Sequence, residues 1–339
     1  MSKIAVVILN WNGRAFLEQF LPSVVQYSSI PDVSVVVADN GSSDDSLEFI
    51  RSSFSSVRII ALDKNYGFAG GYNKALQQLD EEYFILLNSD VEVTAGWIEP
   101  MLRMMEQDRL IAAMMPKILS HQKKTHFEYA GAAGGFIDRY GYPFCRGRIL
   151  QTIEDDHNQY NEPMEVFWAS GACMFVRAAS FRLAGGFDES FFAHMEEIDL
   201  CWRMKNLGMK IFVCPASVIY HAGGGTLEYK NPHKLYLNFR NSLATLYKNT
   251  HPGALFSTLI IRILLDKLAV LRFLLQFDFA SAGAVIRGYS SFFCSLKKLN
   301  KQRKAQKISA RHHGQMNNSI ILQYYFRNRK RYSELSPIF

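Results

Sequence analysis

Between Ile4 and Leu87 short apolar runs alternate with amphipathic stretches, and this alternation restricts the possible fold more than any other feature of the chain. Ile4 to Leu9, Val33 to Ala38, Val57 to Leu62 and Phe84 to Leu87 read as strands, the last of the kind that is buried on both faces. Phe16 to Tyr27, Ser46 to Phe54 and Gly70 to Leu79 read as the helices between them. Strand and helix in turn imply βαβ units, so the fold class is α/β with a mainly parallel central sheet.

The first, second and fourth of these strands each end in a polar cluster: Asn10-Trp11-Asn12, Asp39-Asn40-Gly41-Ser42 and Asn88-Ser89-Asp90. If the strands are parallel, all three clusters lie on one sheet edge, where α/β proteins hold ligands. An oxygen-rich corner such as Asn88-Ser89-Asp90 suits a hard divalent cation that also takes phosphate oxygens, although Asn and Asp also end strands simply as turns. Asp39 can accept hydrogen bonds from a base or ribose, while Ser42, Ser43 or Asp44 caps the following helix. Asn65 to Asn73 is glycine-rich and opens a helix, so its amides can approach a diphosphate. Neither the Gly-x-Gly-x-x-Gly spacing nor a Gly-Lys-Ser/Thr phosphate loop occurs, which argues against a dinucleotide fold and a nucleoside triphosphatase.

From Leu119 to Pro163 the pattern weakens and small residues gather at Ala130 to Gly135, which suggests substrate loops or a short mixed sheet. Val166 to Val176 is strand-like, Ala178 to Leu183 and Glu196 to Asn206 are helical, Lys210 to Cys214 and Val218 to Tyr220 are strands, and His221 to Gly225 reads as a loop. Within Gly186 to Arg203, the carboxylates Glu196, Glu197 and Asp199 crowd together beside aromatic residues. Crowding and partial burial raise the pKa of at least one, which makes a general base; the alternative is a solvated acidic helix start favoured by the macrodipole. On a helix Glu196 and Asp199 share a face that Glu197 does not.

Charge divides the chain. Residues 1–253 carry 23 Lys and Arg against 28 Asp and Glu, a net of −5, whereas 254–339 carry 15 against 3, a net of +12. Such a tail is drawn to a polyanion, and the absence of an aromatic-interleaved basic motif beyond Gln323 to Arg327 favours an anionic membrane surface over nucleic acid. Leu255 to Phe277 is apolar but interrupted by Arg262, Asp266, Lys267 and Arg272, too charged to span a bilayer; it reads as an interfacial amphipathic helix or as a helix packed on the core. The five cysteines form no Cys-x-x-Cys pair, which argues against zinc and disulfide frameworks, and the apolar run after Met1 is too short for a signal peptide, so a cytoplasmic location is expected.

Seven motifs in order, Asn10-Trp11-Asn12, Asp39-x-x-Ser42-x-Asp44, Asn65-x-Gly67-Phe68-Ala69-x-Gly71-x-Asn73, Leu87-Asn88-Ser89-Asp90, Gly186-Phe187-Asp188-Glu189, Glu196-Glu197-x-Asp199-Leu200-x-x-Arg203 and His221, resemble the family 2 glycosyltransferases, closest to their rhamnosyltransferase-like branch. The resemblance covers about residues 3–250. It implies a GT-A domain over 1–250, an inverting mechanism, and a nucleotide-diphosphate-sugar donor held with Mg²⁺ or Mn²⁺. Residues 251–339 are then a basic, amphipathic helical extension at the membrane. Carried over by position, Asn10, Asn12, Asp39, Ser42, Asn65, Gly67, Gly71, Asn73, Asn88 and Ser89 lie along the donor. Asp90 and His221 ligate the metal, with Asn88 standing where many relatives have Asp. Glu197, or its neighbour Glu196, is the base, and Trp168, Gly171 and Asp199 line the acceptor, a glycan or lipid-linked glycan. The enzyme would work peripherally on the inner face of the cytoplasmic membrane. A sugar-nucleotide-binding protein without turnover, or a nucleic-acid-binding protein using the tail, are the alternatives.

Overall fold

In the computed structural model, residues 2–223 and 231–335 are described. The N-terminal half builds β1 (Ile4–Asn10), α1 (Arg14–Tyr27), β2 (Val33–Asp39), α2 (Ser46–Ser53), β3 (Arg58–Ala61), α3 (Gly67–Leu76), β4 (Tyr83–Asn88), β5 (Val91–Val93), α4 (Glu99–Gln107) and β6 (Ile111–Ser120). The alternation thus becomes strands and helices nearly where the apolar periods place them. α3 starts three residues earlier than expected, at Gly67, because the carbonyl of Phe192 accepts the Phe68 and Ala69 amides that a helix start leaves unpaired.

The middle of the chain adds β7 (Gly135–Asp138), β8 (Pro143–Cys145), β9 (Arg148–Ile149), β10 (Thr152–Ile153), β11 (Met164–Val166), β12 (Cys173–Arg177), α5 (Ala178–Leu183), α6 (Glu196–Asn206) and β13 (Lys210–His221). The stretch 166–176, expected as one strand, is two, separated by the turn that carries Trp168 and Gly171. The two strands expected over 210–220 are one, with an irregular register between Cys214 and Val218 beside Pro215, which has no amide to donate to a ladder. The chain closes with α7 (Pro232–Asn249), α8 (Pro252–Leu275), α9 (Phe279–Lys304), β14 (Gln315–Met316) and α10 (Ile320–Tyr325).

The main sheet runs β11-β13-β6-β12-β4-β1-β2-β3, with β5 paired to β13. Strands β3, β2, β1 and β4 are parallel, as are β6 and β13, while β12 and β11 are inserted antiparallel. Parallel registry places Asn10 beside Asp39 and Leu9 beside Asn88, so the polar strand ends converge on one edge as the sequence implies. The core lies under that edge. Phe84, Ile85, Leu86 and Leu87 are all buried, each contributing roughly 1.5–3 kcal/mol.

Residues 135–153 form most of a second sheet, β10-β9-β8-β7-β14, whose last strand comes from the C-terminal segment. The small residues at 130–135 are packing positions rather than a substrate loop: a Cβ on Gly135 would lie 2.2 Å from the Trp168 ring, and one on Gly131 would lie 2.7 Å from Ser170. The segment after 251 is stitched in elsewhere too, since Asp138 accepts from the Ile320 amide and Arg303 donates to the carbonyls of Tyr247 and Lys248.

α8 turns one ion pair inward, while Lys267 and Arg272 stay exposed with much of its apolar surface. Arg262 and Asp266 are 3% and 2% exposed, paired at 2.8 Å and bonded to Ser242, Tyr140, Tyr142 and Tyr289, whereas Leu264 is 55% and Phe277, just past the helix end, 80% exposed. Of the two readings of 255–277, core packing thus accounts for the polar stripe; the apolar stripe faces outward. No helix among the described residues is long and apolar enough to cross a membrane.

Candidate active site

The edge expected to hold the donor is built from strand ends. Asn10 Nδ2 donates to Asp39 Oδ1 at 3.0 Å and to Ser42 Oγ at 3.2 Å, and Asp39 Oδ2 accepts the Ser42 amide at 3.0 Å. Asn12 receives the Ser43 amide on its side chain, while its own amide donates to Ser42. Asn40 ties this corner to the next. It donates to Asn65 Oδ1 and the Gly67 carbonyl and accepts the Tyr66 amide. Asn10 Oδ1 is buried without a partner, next to Gly13, where a Cβ would come within 2.4 Å of it and 3.8 Å of Ser89 Oγ. An orphaned acceptor on a floor kept open by glycine is what a bound donor group would satisfy.

Two glycines expected along the donor have other work. Gly71 is buried, and a Cβ there would meet Asn40 and Leu9 at 2.9 Å; it lets α3 lie close on the sheet. Gly67 has φ +71° and presses on Phe192, whose ring would be 2.5 Å from a Cβ. Asn73 is not aimed at the donor: its amide bonds to the Phe187 carbonyl and amide and to Glu189, pinning the Gly-Phe-Asp-Glu turn to α3.

Beyond Asn88 and Ser89, both half-buried, Asp90 is buried at the turn into β5. His221 is the last residue of β13 rather than part of a loop, opposite Val91 in the ladder. Gly224 and Gly225 of the expected loop lie outside the described residues. His221 Nε2 is 3.1 Å from Asp90 Oδ1 and its Nδ1 is 3.3 Å from Glu128 Oε2. Burial works against a charged imidazole, but the two carboxylates outweigh it and hold His221 up at about 10. Burial likewise favours a neutral Asp90, and the His221 contact overcomes it, holding that carboxyl below its usual range.

No cluster of three or more His, Cys, Asp or Glu side chains converging on one point occurs among the described residues. The carboxylates instead flank opposite edges of one ring. That donor set fits a divalent cation that displaces the Nε2 proton of His221: Asp90 and the freed Nε2 would then ligate, Glu128 would orient the ring through Nδ1, and donor oxygens and water would complete the shell. Glu128 had no signal in the sequence, being one acid in a patternless stretch.

The acidic pair opens α6. Glu196 is buried, Glu197 half-buried, and one carboxylate oxygen of each lacks a hydrogen-bond partner. Burial, then the charge of Glu197, raises Glu196 well above the carboxylate range; burial pushes Glu197 up to about 7. Glu197 stands beside the turn that ends at Ala172: a Cβ on Gly171 would lie 4.0 Å from its carboxyl carbon, and the Ala172 carbonyl accepts the Asn88 amide at 3.0 Å. The same turn therefore separates the acidic pair from the Asn88-Ser89-Asp90 corner by a few residues' width.

Two residues expected at the acceptor are structural. Trp168 is buried, its ring stacked on Gly135 and its indole N–H given to the Phe136 carbonyl at 2.8 Å. Asp199 is fully buried, and its oxygens accept from Arg203, Lys248 and Asn249; the face it shares with Glu196 points into the protein. Lys248, Asn241 and Arg240 of α7, which bond to the segment leading into α6, carried no pattern in the sequence.

The chain is 27% identical over 238 residues, 66% of its length and 77% of the relative's, to the N-acetylglucosaminyl-diphospho-decaprenol L-rhamnosyltransferase of Mycobacterium tuberculosis. Its fold is similar to that of S. aureus TarS 1-349 in complex with UDP-GlcNAc, with a TM-score of 0.57 at 14% identity over 88% of this chain and 83% of that one. It is similar also to the mannosyltransferase PcManGT from Pyrobaculum calidifontis in complex with GDP-Man and Mn²⁺, with a TM-score of 0.54 at 11% identity over 86% and 87%. The architecture is therefore the GT-A fold. With the model for "Glycosyl transferase family 2" matching residues 5–181, which span β1 to α5 and carry every strand-end cluster of the donor side, the chain belongs to glycosyl transferase family 2.

Proposed function

We propose that this protein is an inverting, metal-assisted hexosyltransferase that moves a sugar, rhamnose foremost, from a nucleoside-diphosphate donor to a hydroxyl of a lipid-linked or cell-surface glycan. The observation that carries the reading is Glu197, a half-buried carboxyl raised to about 7 and set beside Gly171, one turn from the Asn88-Ser89-Asp90 corner. The likeness to a rhamnosyltransferase supports the choice of sugar.

An acceptor hydroxyl holds its proton at neutral pH, so a positioned base must take it as the oxygen attacks. Glu197 accepts that proton; the acceptor oxygen bonds to the anomeric carbon on the face opposite the diphosphate, and the bond from that carbon to the diphosphate oxygen breaks. The nucleoside diphosphate leaves with the electron pair. Asn10, Asp39 and Ser42 hold the nucleoside, with Asn12, Asn65, Asn88 and Ser89 around it. Mg²⁺ or Mn²⁺, held by Asp90 and His221, would supply charge neutralisation for the leaving diphosphate. Of the acidic pair, Glu197 is taken as the base because it is the partly exposed member and stands beside Gly171, whereas Glu196 is buried and is itself raised by burial and by the charge of Glu197.

The enzyme would sit at the cytoplasmic face of the membrane, with the outward apolar side of α8 in the interface and the basic C-terminal segment on anionic headgroups. Each such Lys or Arg adds on the order of 1 kcal/mol. A hydrolysis and transfer screen across nucleotide sugars, with Mg²⁺ and with Mn²⁺, tests the whole reading. Glu197→Gln or Asp90→Ala should be folded and inactive, and full turnover in either removes the site assignment.

A further inference from the structure

We propose that Asn241, on α7, is a positioning residue for the acidic pair: it clamps a strained turn whose shape sets the Glu197 carboxyl beside Gly171. The proposal rests on reading Glu197 as the general base. The turn is unusual. Phe192 has φ +65° and ψ −60°, and the Ala193 amide donates to the Phe191 carbonyl at 2.8 Å, which together make a γ-turn of the rare, strained hand. His194 and Met195 follow at φ +68° and +71°, so three of four consecutive residues, none a glycine, lie in the left-handed half of the map. Met195 leads directly into Glu196, the first residue of α6.

A run of this kind persists only where its surroundings over-determine it. Asn241 Nδ2 lies within hydrogen-bond distance of three backbone carbonyls of the turn, those of Phe191 at 3.0 Å, Ala193 at 2.9 Å and His194 at 2.8 Å, which share its two N–H groups. Arg240 Nη2 adds bonds to the carbonyls of Ser190 and Phe191 at 3.0 and 2.9 Å. From the other side, the Phe192 carbonyl is held by the Phe68 and Ala69 amides at the start of α3. Asn241 itself is fully buried, and its Oδ1 accepts from Arg240 Nε at 2.7 Å, which leaves the NH₂ group no orientation except toward the turn. An amide is the side chain this needs: one acceptor for the guanidinium and two donors for the carbonyls. Relaxed to ordinary dihedrals, the turn would rotate the first turn of α6 and carry the Glu197 carboxyl away from Gly171.

Asn241→Asp tests this in the full-length protein, because it conserves volume and the acceptor for Arg240 while deleting both donors. The expected result is a kcat lower by about a hundredfold with donor KM within about twofold, as for a misplaced reacting group. The acid limb of the kcat profile should also move down from about pH 7, because a displaced carboxyl is better solvated. Asn241→Ser, which keeps one donor, should fall between. Unchanged kcat and limb in both variants, with Glu197→Gln inactive, overturns the proposal, as does failure of both to fold, which would make Asn241 a purely structural residue. Full turnover in Glu197→Gln would instead overturn the reading of the base.

Discussion

His221 Nε2 lies 3.1 Å from Asp90 Oδ1, although 131 residues separate them in the chain. β5 and β13 make the meeting, since Val91 and His221 are register partners. If the pair holds the cation with Glu128 orienting the ring, Glu128→Gln should weaken Mn²⁺ binding by roughly 10–100-fold, and His221→Ala by more. Calorimetric titration of Mn²⁺ in the presence of a nucleoside diphosphate measures both. Affinity unchanged in His221→Ala would remove it from the metal shell.

Glu197 predicts a pH profile. As a base it works deprotonated, so kcat should rise with pH through about 7 and level off above, and Glu197→Gln should lower it by about 10²–10⁴-fold. The same group bears on stability. Its folded pKa is raised above the ordinary 4.5, so whatever it contributes to folding is present below that value and lost as pH rises through about 7. Thermal unfolding should therefore show Glu197→Gln more stable than the parent at pH 8 and no different at pH 4; equal melting curves at pH 8 would mean the carboxyl is not raised.

Lys248 is enclosed between Asp188, at 2.7 Å, and Asp199, at 3.0 Å. Replacing it by Met leaves buried Asp188 without its cation and Asp199 with Arg203 alone, and should destabilise the protein by about 3–5 kcal/mol in denaturant unfolding. Burial favours a neutral Asp188, but Lys248 outweighs it and holds that carboxyl well below its normal range. Its stabilising contribution is thus present above about pH 4 and lost below, and the variant should lose this part of the acid sensitivity.

α8 separates stability from membrane binding. Leu264, Leu268 and Leu271 are exposed, so the triple Leu→Ser variant should melt like the parent yet bind phosphatidylglycerol vesicles about tenfold more weakly or worse. Arg262→Ala should do the reverse, unfolding more easily because Asp266 loses its buried partner. Unchanged co-sedimentation of the leucine variant would count against the apolar face as the membrane contact.

The polar sheet edge was legible because βαβ alternation forces strand ends to one edge: once Ile4 to Leu9 and Phe84 to Leu87 are parallel neighbours, Asn10, Asp39 and Asp90 must lie together. The acceptor side was not. Trp168 and Asp199 sit among site residues in the chain, but Trp168 fills the space over Gly135 and Asp199 neutralises Lys248. Position next to a motif does not tell which way a side chain points; α6 has an outward and an inward face, and the packing of α7 decides between them.

Sequence by itself determined the sheet, the polar edge and the acidic pair, since these follow from local periodicity and residue type. Tertiary structure alone decided that Glu128 backs His221, that Asn241 braces the turn before Glu196, and that α8 turns the Arg262–Asp266 pair inward. Those contacts join residues far apart in the chain, and their selection depends on which buried polar groups are left needing a partner once the core has packed.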